Sequence, residues 1–333
     1  MINAAVVGLG WWGKQIVSVV MGRSDRINIV RGVEVNPDAV ADFVAEKKLP
    51  LYTDYQQALD DPEIEAVILT TPHSTHEDLV LRAAAAGKQI FCEKPLALTA
   101  DSAKRMVAAC AEAGLALGIG HERRFEPAMQ ELARMVAAGE LGTILFAESH
   151  YSHDKFAAMT KENWRGNPKD APAAGWTGMG IHLTDYMISV LGPIDEIRAM
   201  SARRVLDLPS GDVVTTQFTF QDGTMGTVSV ISATPFFGRM AIFGTGGWVE
   251  IVETAHPEAP KETLMHFNMA GGERQTRVYQ PTDCVLDNLH EWADAVAGKA
   301  TYSITASEAI GNIAAMEALV RSTETGMAEK VDN

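Results

Sequence analysis

The 333-residue sequence is short of cysteine, of positive charge and of long apolar runs, and each shortage closes off a class of function. Its three cysteines, Cys92, Cys110 and Cys284, are odd in number and include no C-x-x-C pair. Neither a disulfide framework nor a zinc knuckle is therefore expected, and a reducing cytoplasm fits best. Lysine and arginine total 28 against 43 aspartates and glutamates, a formal net charge of −15 spread along the chain. Such a field repels phosphate backbones and anionic lipid, so neither nucleic acid nor a membrane surface is an expected partner. No run approaches the roughly 18 apolar residues of a membrane span. The start, "MINAAVVGLGWW", lacks a basic leader and breaks at glycines, so it reads as a first strand and not as a signal peptide. What is present is 47% hydrophobic residues, enough for a large core and most naturally for two domains. No internal repeat or low-complexity linker is visible.

Residues 1–120 alternate strand and helix. "INAAVVGLG" is a short apolar run ending in glycines, and Ile16, Val19 and Val20 then recur with helical spacing. "INIVRGVEV" is a second strand, with a helical pattern from Asp38 carrying Val40, Phe43 and Val44. "EAVILTTP" reads as a strand buried on both faces, followed by the helix former "STHEDLVLRAAAAG". "KQIFCEKP" is another strand, Thr99 caps the next helix, and "LALGIG" supplies one strand more. The expected fold is α/β, a doubly wound parallel sheet with right-handed crossovers.

Gly8, Gly10 and Gly13 form G-x-G-x-x-G directly after the first strand and at the mouth of the first helix. In that setting the glycines serve a tight turn, close approach to a pyrophosphate and close helix–sheet packing. The helix start offers free N–H groups to phosphate. Glu34 ends the second strand 21 residues after Gly13, where an acid can accept from both ribose hydroxyls. Val35 follows in place of a basic residue, which favours NAD over NADP.

From residue 121 to 333 the alternation stops and the pattern is α+β, with a helix over about 128–138 and a long strand in "TILFAESHYSH". "DVVTTQFTFQDGTMGTVSVIS" is a hairpin through Asp222-Gly223, and "RMAIFGTGGWVEIV" is a further strand pair. "NLHEWADAVAG" and "TASEAIGNIAAMEALVRS" are closing helices. One face of such an antiparallel sheet is left for a partner copy, so a homodimer or homotetramer is expected.

Ligands of a doubly wound sheet lie beyond the carboxyl ends of its strands, which places Thr70, Thr71, Pro72, Glu93 and Lys94 at the cofactor. Pro95 restricts the backbone of Lys94 and ends the strand. In "GWTGMGIHLTDYMISVLG" a helical pattern from about Met179 sets His182 and Asp185 a turn apart. Histidine is the side chain best suited to moving a proton near neutral pH. His182 equally suits a core histidine bonded to a carbonyl, and Lys94 a solvated strand end.

Taken in order, Gly8-x-Gly10-x-x-Gly13, Glu93-Lys94-Pro95, Arg123-Arg124-Phe125-x-Pro127 and Gly180-Ile181-His182-x-x-Asp185 resemble the glucose-fructose oxidoreductase / inositol dehydrogenase / MocA family over nearly the whole chain. The resemblance implies an N-terminal Rossmann domain, a C-terminal domain with a large open sheet, and NAD(P)-dependent hydride transfer at a carbinol carbon of a sugar, cyclitol or related polyol. It implies that Lys94 orients the reacting hydroxyl and that His182 transfers its proton, with Asp185 beside it. Thr71, Pro72, His76 and Glu93 would line the nicotinamide half, and Trp11 and Trp12 the pyrophosphate loop. Trp164-Arg165 resembles a pair near the active site, which implies Arg165 as a substrate or cofactor clamp; Trp164, Tyr151 and Arg123 are expected substrate contacts.

Two departures stand out. Many members carry aspartate four residues before the histidine, where this chain has Gly178, and asparagine where it has Glu122. The missing carboxylate leaves room for a non-catalytic dinucleotide-binding sensor. Tyr151, Phe156, Trp164 and Trp176 leave room for a flatter pocket and a cyclic dihydrodiol substrate. Two histidine pairs, His73 with His76 and His150 with His153, are not spaced as metal ligands, and no metal is expected.

Overall fold

The computed structural model describes residues 1–155, 163–209, 211–256 and 261–332, which divide into two compact units. The first comprises Met1–Glu122 and Asp283–Ala306, the second Arg123–Thr282 and Ser307–Asn333.

In the first unit the elements run β1 (Ile2–Val7), α1 (Trp11–Val20), β2 (Ile27–Val33), α2 (Ala41–Lys47), β3 (Leu51–Tyr52), α3 (Tyr55–Asp60), β4 (Ala66–Leu69), α4 (His76–Ala85), β5 (Gln89–Cys92), α5 (Ala100–Glu112) and β6 (Leu117–Ile119). The strands form one parallel sheet in the order β3-β2-β1-β4-β5-β6, so the expected doubly wound architecture is what the chain adopts. All four residues of β4 are buried, because helices cover both faces of a central parallel strand. Thr99 caps α5, its side chain accepting from the Ser102 N–H at 3.2 Å.

The second unit begins with α6 (Pro127–Ala137), β7 (Ile144–Ser152), α7 (Ile181–Leu191) and β8 (Ile194–Ala202). It continues through β9 (Val213–Phe220), β10 (Met225–Ile231), β11 (Phe237–Gly244), β12 (Gly247–Glu253), β13 (Thr263–Met269) and β14 (Gln275–Tyr279). The chain then forms α8 (Cys284–Val296), α9 (Ala306–Thr325) and β15 (Glu329–Lys330). Nine strands build one sheet, β14-β13-β12-β11-β7-β10-β9-β8-β15, antiparallel at every pairing except β7 with β10. The β9–β10 hairpin turns at Asp222, whose carboxylate accepts from the Thr224 N–H at 2.9 Å.

One sequence-based assignment needs correction. The pattern places 283–306 in the second domain, yet α8 belongs to the first unit. Trp292 is fully buried, stands edge-on to Phe91 at 5.6 Å and donates its indole N–H to the Ala116 carbonyl at 3.2 Å. Asn288 donates to the Ile119 carbonyl at 2.9 Å, and Tyr302 donates to Asn288 at 2.7 Å. The segment thus caps β6, the sheet's edge strand, whose open side would otherwise invite pairing with another chain. No described helix is long and apolar enough to cross a membrane.

Candidate active site

The glycine loop of the first unit is fixed by contacts that only glycine permits. Gly8 leaves β1 with φ +87°, a left-handed value. A Cβ on Gly13 would stand 2.0 Å from the Gly8 carbonyl oxygen and 2.7 Å from Thr70 Oγ1, so α1 lies directly against the loop. Around Gly10 a Cβ would meet nothing within 4 Å. The loop is therefore packed on its inner side and open on its outer side, at the start of a helix with no acidic residue in its first turn. That is the shape and polarity a pyrophosphate needs.

Glu34 is held by the same loop. Its Oε2 accepts from the Leu9 N–H at 2.9 Å and its Oε1 from the Asn36 N–H at 3.0 Å. Each oxygen keeps a lone pair, and together they suit the two hydroxyls of an adenosine ribose. Thr70 Oγ1 lies 2.6 Å from the Gly8 carbonyl oxygen and donates there. Thr75 donates to the Pro72 carbonyl at 2.7 Å and so accepts from Thr71 Oγ1, also at 2.7 Å. Both hydroxyl protons at the tip of β4 are committed within the protein, and toward a ligand Thr70 and Thr71 can only accept. The residues present fit a dinucleotide.

The two tryptophans part company. Trp11 is 49% exposed, whereas Trp12 packs against the core beneath the sheet, with the two rings 5.3 Å apart. His76, expected to touch the cofactor, is 0% exposed and cannot do so directly. Its ring lies between the Pro95 and Thr71 carbonyls instead.

At the tip of β5, Glu93 is buried and Lys94 half-buried, and the Lys94–Pro95 peptide bond is cis. A Cβ on Gly120 would come within 2.5 Å of the Glu93 carboxylate, so Gly120 opens the space that Glu93 fills. Sequence reasoning passed over Gly120 and Thr75. The only available sign was a glycine closing the strand pattern of "LALGIG" and a threonine opening the helix pattern after Pro72.

In the second unit a turn of π-helix, Trp176–Gly180, runs into α7. Such turns are rare and are frequently found at functional sites. Here the buried Trp176 ring lies over Gly180, where a Cβ would come within 2.4 Å of it. His182 follows in the first turn of α7, 7% exposed, and Gly178 is half-buried.

Three residues expected at the substrate are occupied internally. Asp185 is 1% exposed and accepts both arms of Arg124, at 2.7 and 2.6 Å, while the third nitrogen of Arg124 donates to Glu308 at 3.0 Å. Burial opposes the guanidinium charge, yet Asp185 and Glu308 hold it firmly protonated. Asp185 therefore fixes α7, and with it His182, and does not itself meet a ligand. Arg123 donates to Glu126 at 3.2 Å and to Glu253, and lies 4.8 Å over the Tyr151 ring. Tyr151 in turn packs its edges on Phe236 and His153, at 5.6 and 6.1 Å. The sequence offered no sign that these arginines face carboxylates far along the chain. Arg165 stacks on Trp164 at 4.1 Å and both stay partly exposed. Phe156 lies outside the described residues, and Trp176 is core, so the flat aromatic pocket loses Tyr151 and Trp176. Among the described residues no group of three or more His, Cys, Asp or Glu is placed to hold a metal ion.

Comparison with known proteins agrees with this geometry. Residues 2–121 match the family model described as an oxidoreductase family with an NAD-binding Rossmann fold, and residues 129–250 match a GFO/IDH/MocA C-terminal domain. Scyllo-inositol 2-dehydrogenase (NAD(+)) of Bacillus subtilis (strain 168) is 28% identical over an alignment covering 99% of this chain and 96% of the relative. In fold, the chain is similar to aldose-aldose oxidoreductase from Caulobacter crescentus complexed with glycerol, at TM-score 0.87 and 22% identity, covering 99% of both chains. It is also similar to levoglucosan dehydrogenase in complex with NADH and levoglucosan, at TM-score 0.85 and 20% identity over 100% of both chains. With a glycine loop and an acid built for a dinucleotide, and both domain models matched in order, the chain belongs to the GFO/IDH/MocA family of oxidoreductases and carries that family's NAD-binding Rossmann domain.

Proposed function

We propose that this protein is an NAD-dependent dehydrogenase acting on a secondary alcohol of a cyclic polyol or sugar, with Lys94 and His182 working on the same hydroxyl. The observation that carries the reading is the tip of β5. There a half-buried ammonium stands between buried Glu93 and buried Pro95, in the unit whose glycine loop and Glu34 fit a dinucleotide. The substrate class is supported by relatives named for inositol, anhydrofructose and levoglucosan.

In this reading His182 takes the hydroxyl proton while Lys94 donates to the oxygen as negative charge grows on it. The carbinol C–H bond would break with its electron pair leaving as hydride, and NAD, when bound, would supply the acceptor for it. A cation already in place is worth several kcal/mol because it need not reorganise; loss of one such donor elsewhere costs about 3–4 kcal/mol. The π-turn and the Arg124–Asp185 pair hold the helix that carries His182. Glu34 favours NAD, since its carboxylate would oppose a 2′-phosphate, and exposed Val35 offers no counter-charge.

The partner in this reading is a second copy of the chain. The open face of the nine-stranded sheet carries Phe146, Phe243, Phe237 and Met225 around an ion-pair row, Glu148–Arg239–Glu250, with 2.6 Å contacts. Light scattering is expected to give a dimer or tetramer.

A panel of cyclitols, aldoses, anhydrosugars and dihydrodiols, tested with NAD and NADP by nicotinamide absorbance, tests the proposal. Turnover of a polyol or sugar with NAD is expected. Turnover confined to dihydrodiols, or binding of NADH with no turnover of any member, would contradict it.

A further inference from the structure

His76 opens α4 and is wholly buried. Its Nδ1 lies 2.9 Å from the Pro95 carbonyl oxygen and its Nε2 lies 3.1 Å from the Thr71 carbonyl oxygen. Carbonyl oxygens only accept hydrogen bonds, and a neutral imidazole carries a single N–H. A neutral ring would therefore satisfy one carbonyl and turn a lone pair toward the other at hydrogen-bonding distance. Only a ring protonated on both nitrogens satisfies both.

We propose that His76 is a buried imidazolium that ties the exit of β4 to the exit of β5 and so positions Lys94. The Pro95 carbonyl belongs to the residue directly after Lys94, and the Thr71 carbonyl to the residue before Pro72. The ring fixes the two neighbouring strand ends relative to each other from beneath, in the first unit alone. A charge in the interior persists only when hydrogen-bonded and compensated. Charge-assisted bonds to two carbonyls supply the first, being about twice as strong as neutral ones. The acidic groups on the surrounding elements are Glu77 and Asp78 in the first turn of α4 and Glu93 beside Lys94. The opposing cations are Lys94 itself and Arg105 of α5, which is bonded to Glu77 at 2.5 Å. His73 stands edge-on to the ring at 5.7 Å. The start of a helix disfavours a cation, so the two carbonyls and the acids must outweigh it.

The functional arm of this proposal rests on the reading of Lys94 above; the protonation state does not. Two-bond ¹H–¹⁵N correlation of the histidine-labelled full chain, with His76 assigned by its loss in His76→Gln, reads the ring directly. Both nitrogens are expected to carry protons from about pH 6 to about pH 9, unlike an ordinary histidine. One unprotonated nitrogen at neutral pH overturns the proposal, and where the variant does not fold, His76 is assigned by through-bond correlation from its own backbone. In His76→Gln, kcat at saturating NAD and substrate is expected to fall by roughly tenfold to a hundredfold, as for a displaced catalytic group. An unchanged kcat overturns the positioning role. If the wild type turns over no polyol or sugar, the functional reading fails while the spectrum still decides the state of His76.

Discussion

In the first unit Glu34 and Thr70 spend their bonds on the backbone of the glycine loop, and what they leave free are lone pairs toward an open space. In the second unit Arg123, Arg124, Asp185 and Glu253 spend theirs on one another, out of water. Polar side chains in the two units thus do two different jobs. The first arrangement shapes a surface for a ligand that is recognised largely by backbone. The second braces the helix that carries His182 and the neighbouring strand end.

Separating bracing from binding gives the largest expected effect. Arg124→Met leaves Asp185 buried without its partner and should cost about 3–5 kcal/mol in urea unfolding, because the desolvated carboxylate remains. A loss below about 1 kcal/mol would mean that Asp185 reaches solvent or ligand and would restore it as a direct contact. In the first unit the contrast is between two glycines. Gly13→Ala drives a methyl into the Gly8 carbonyl and should destabilise by about 1–3 kcal/mol or more. Gly10→Ala should leave the melting temperature unchanged yet weaken NADH binding by roughly tenfold or more, since the methyl occupies the space a phosphate would enter. Equal effects on stability would erase the distinction between the inner and outer sides of the loop.

Glu34→Gln sharpens the ligand side. Removing the charge should raise the Kd for NADH by roughly tenfold and narrow the gap to NADPH, by fluorescence titration, since a hydrogen bond to a charged group is worth about 1.5–3 kcal/mol. The smallest effect belongs to the second unit. Burial, with Lys155 and Arg123 nearby, pushes the His256 imidazole down to about 4. Its folded value lies below the unfolded one, so the unfolded chain takes up the proton first. Stability should be full above about pH 6.5 and decline as pH falls toward 4, by on the order of 1 kcal/mol after allowing for the ring's partial exposure. His256→Phe should remove that part of the acid slope in thermal melts.

Most of the strand and helix order through β6 could be read in advance because each longer β-α step is closed by local chemistry: a buried apolar run, a cap such as Thr99, a glycine stop. The glycine loop and Glu34 could be read for the same reason, their spacing being set by one β-α-β passage. β3, with two residues, and α3, with six, escape such a reading, being too short to set a period. Other features depend on contacts between residues far apart in the chain. β14 escapes sequence reading because it is exposed almost throughout and has no inward face to set a period. The placement of α8 escapes it because an amphipathic helix declares that it packs, not on what; Trp292 meets Phe91 two hundred residues away. Arg123 and Arg124 are adjacent and alike in sequence, yet one turns to Glu253 and the other to Asp185.

The most direct test of the account is single-turnover hydride transfer, by stopped flow at saturating NAD and substrate, in wild type, Lys94→Met and His182→Ala. Each variant is expected to lose roughly 10²–10⁴-fold in the transfer rate while binding NADH within about threefold of wild type. Transfer at the wild-type rate in either variant would contradict the assignment of Lys94 and His182 to the reacting hydroxyl.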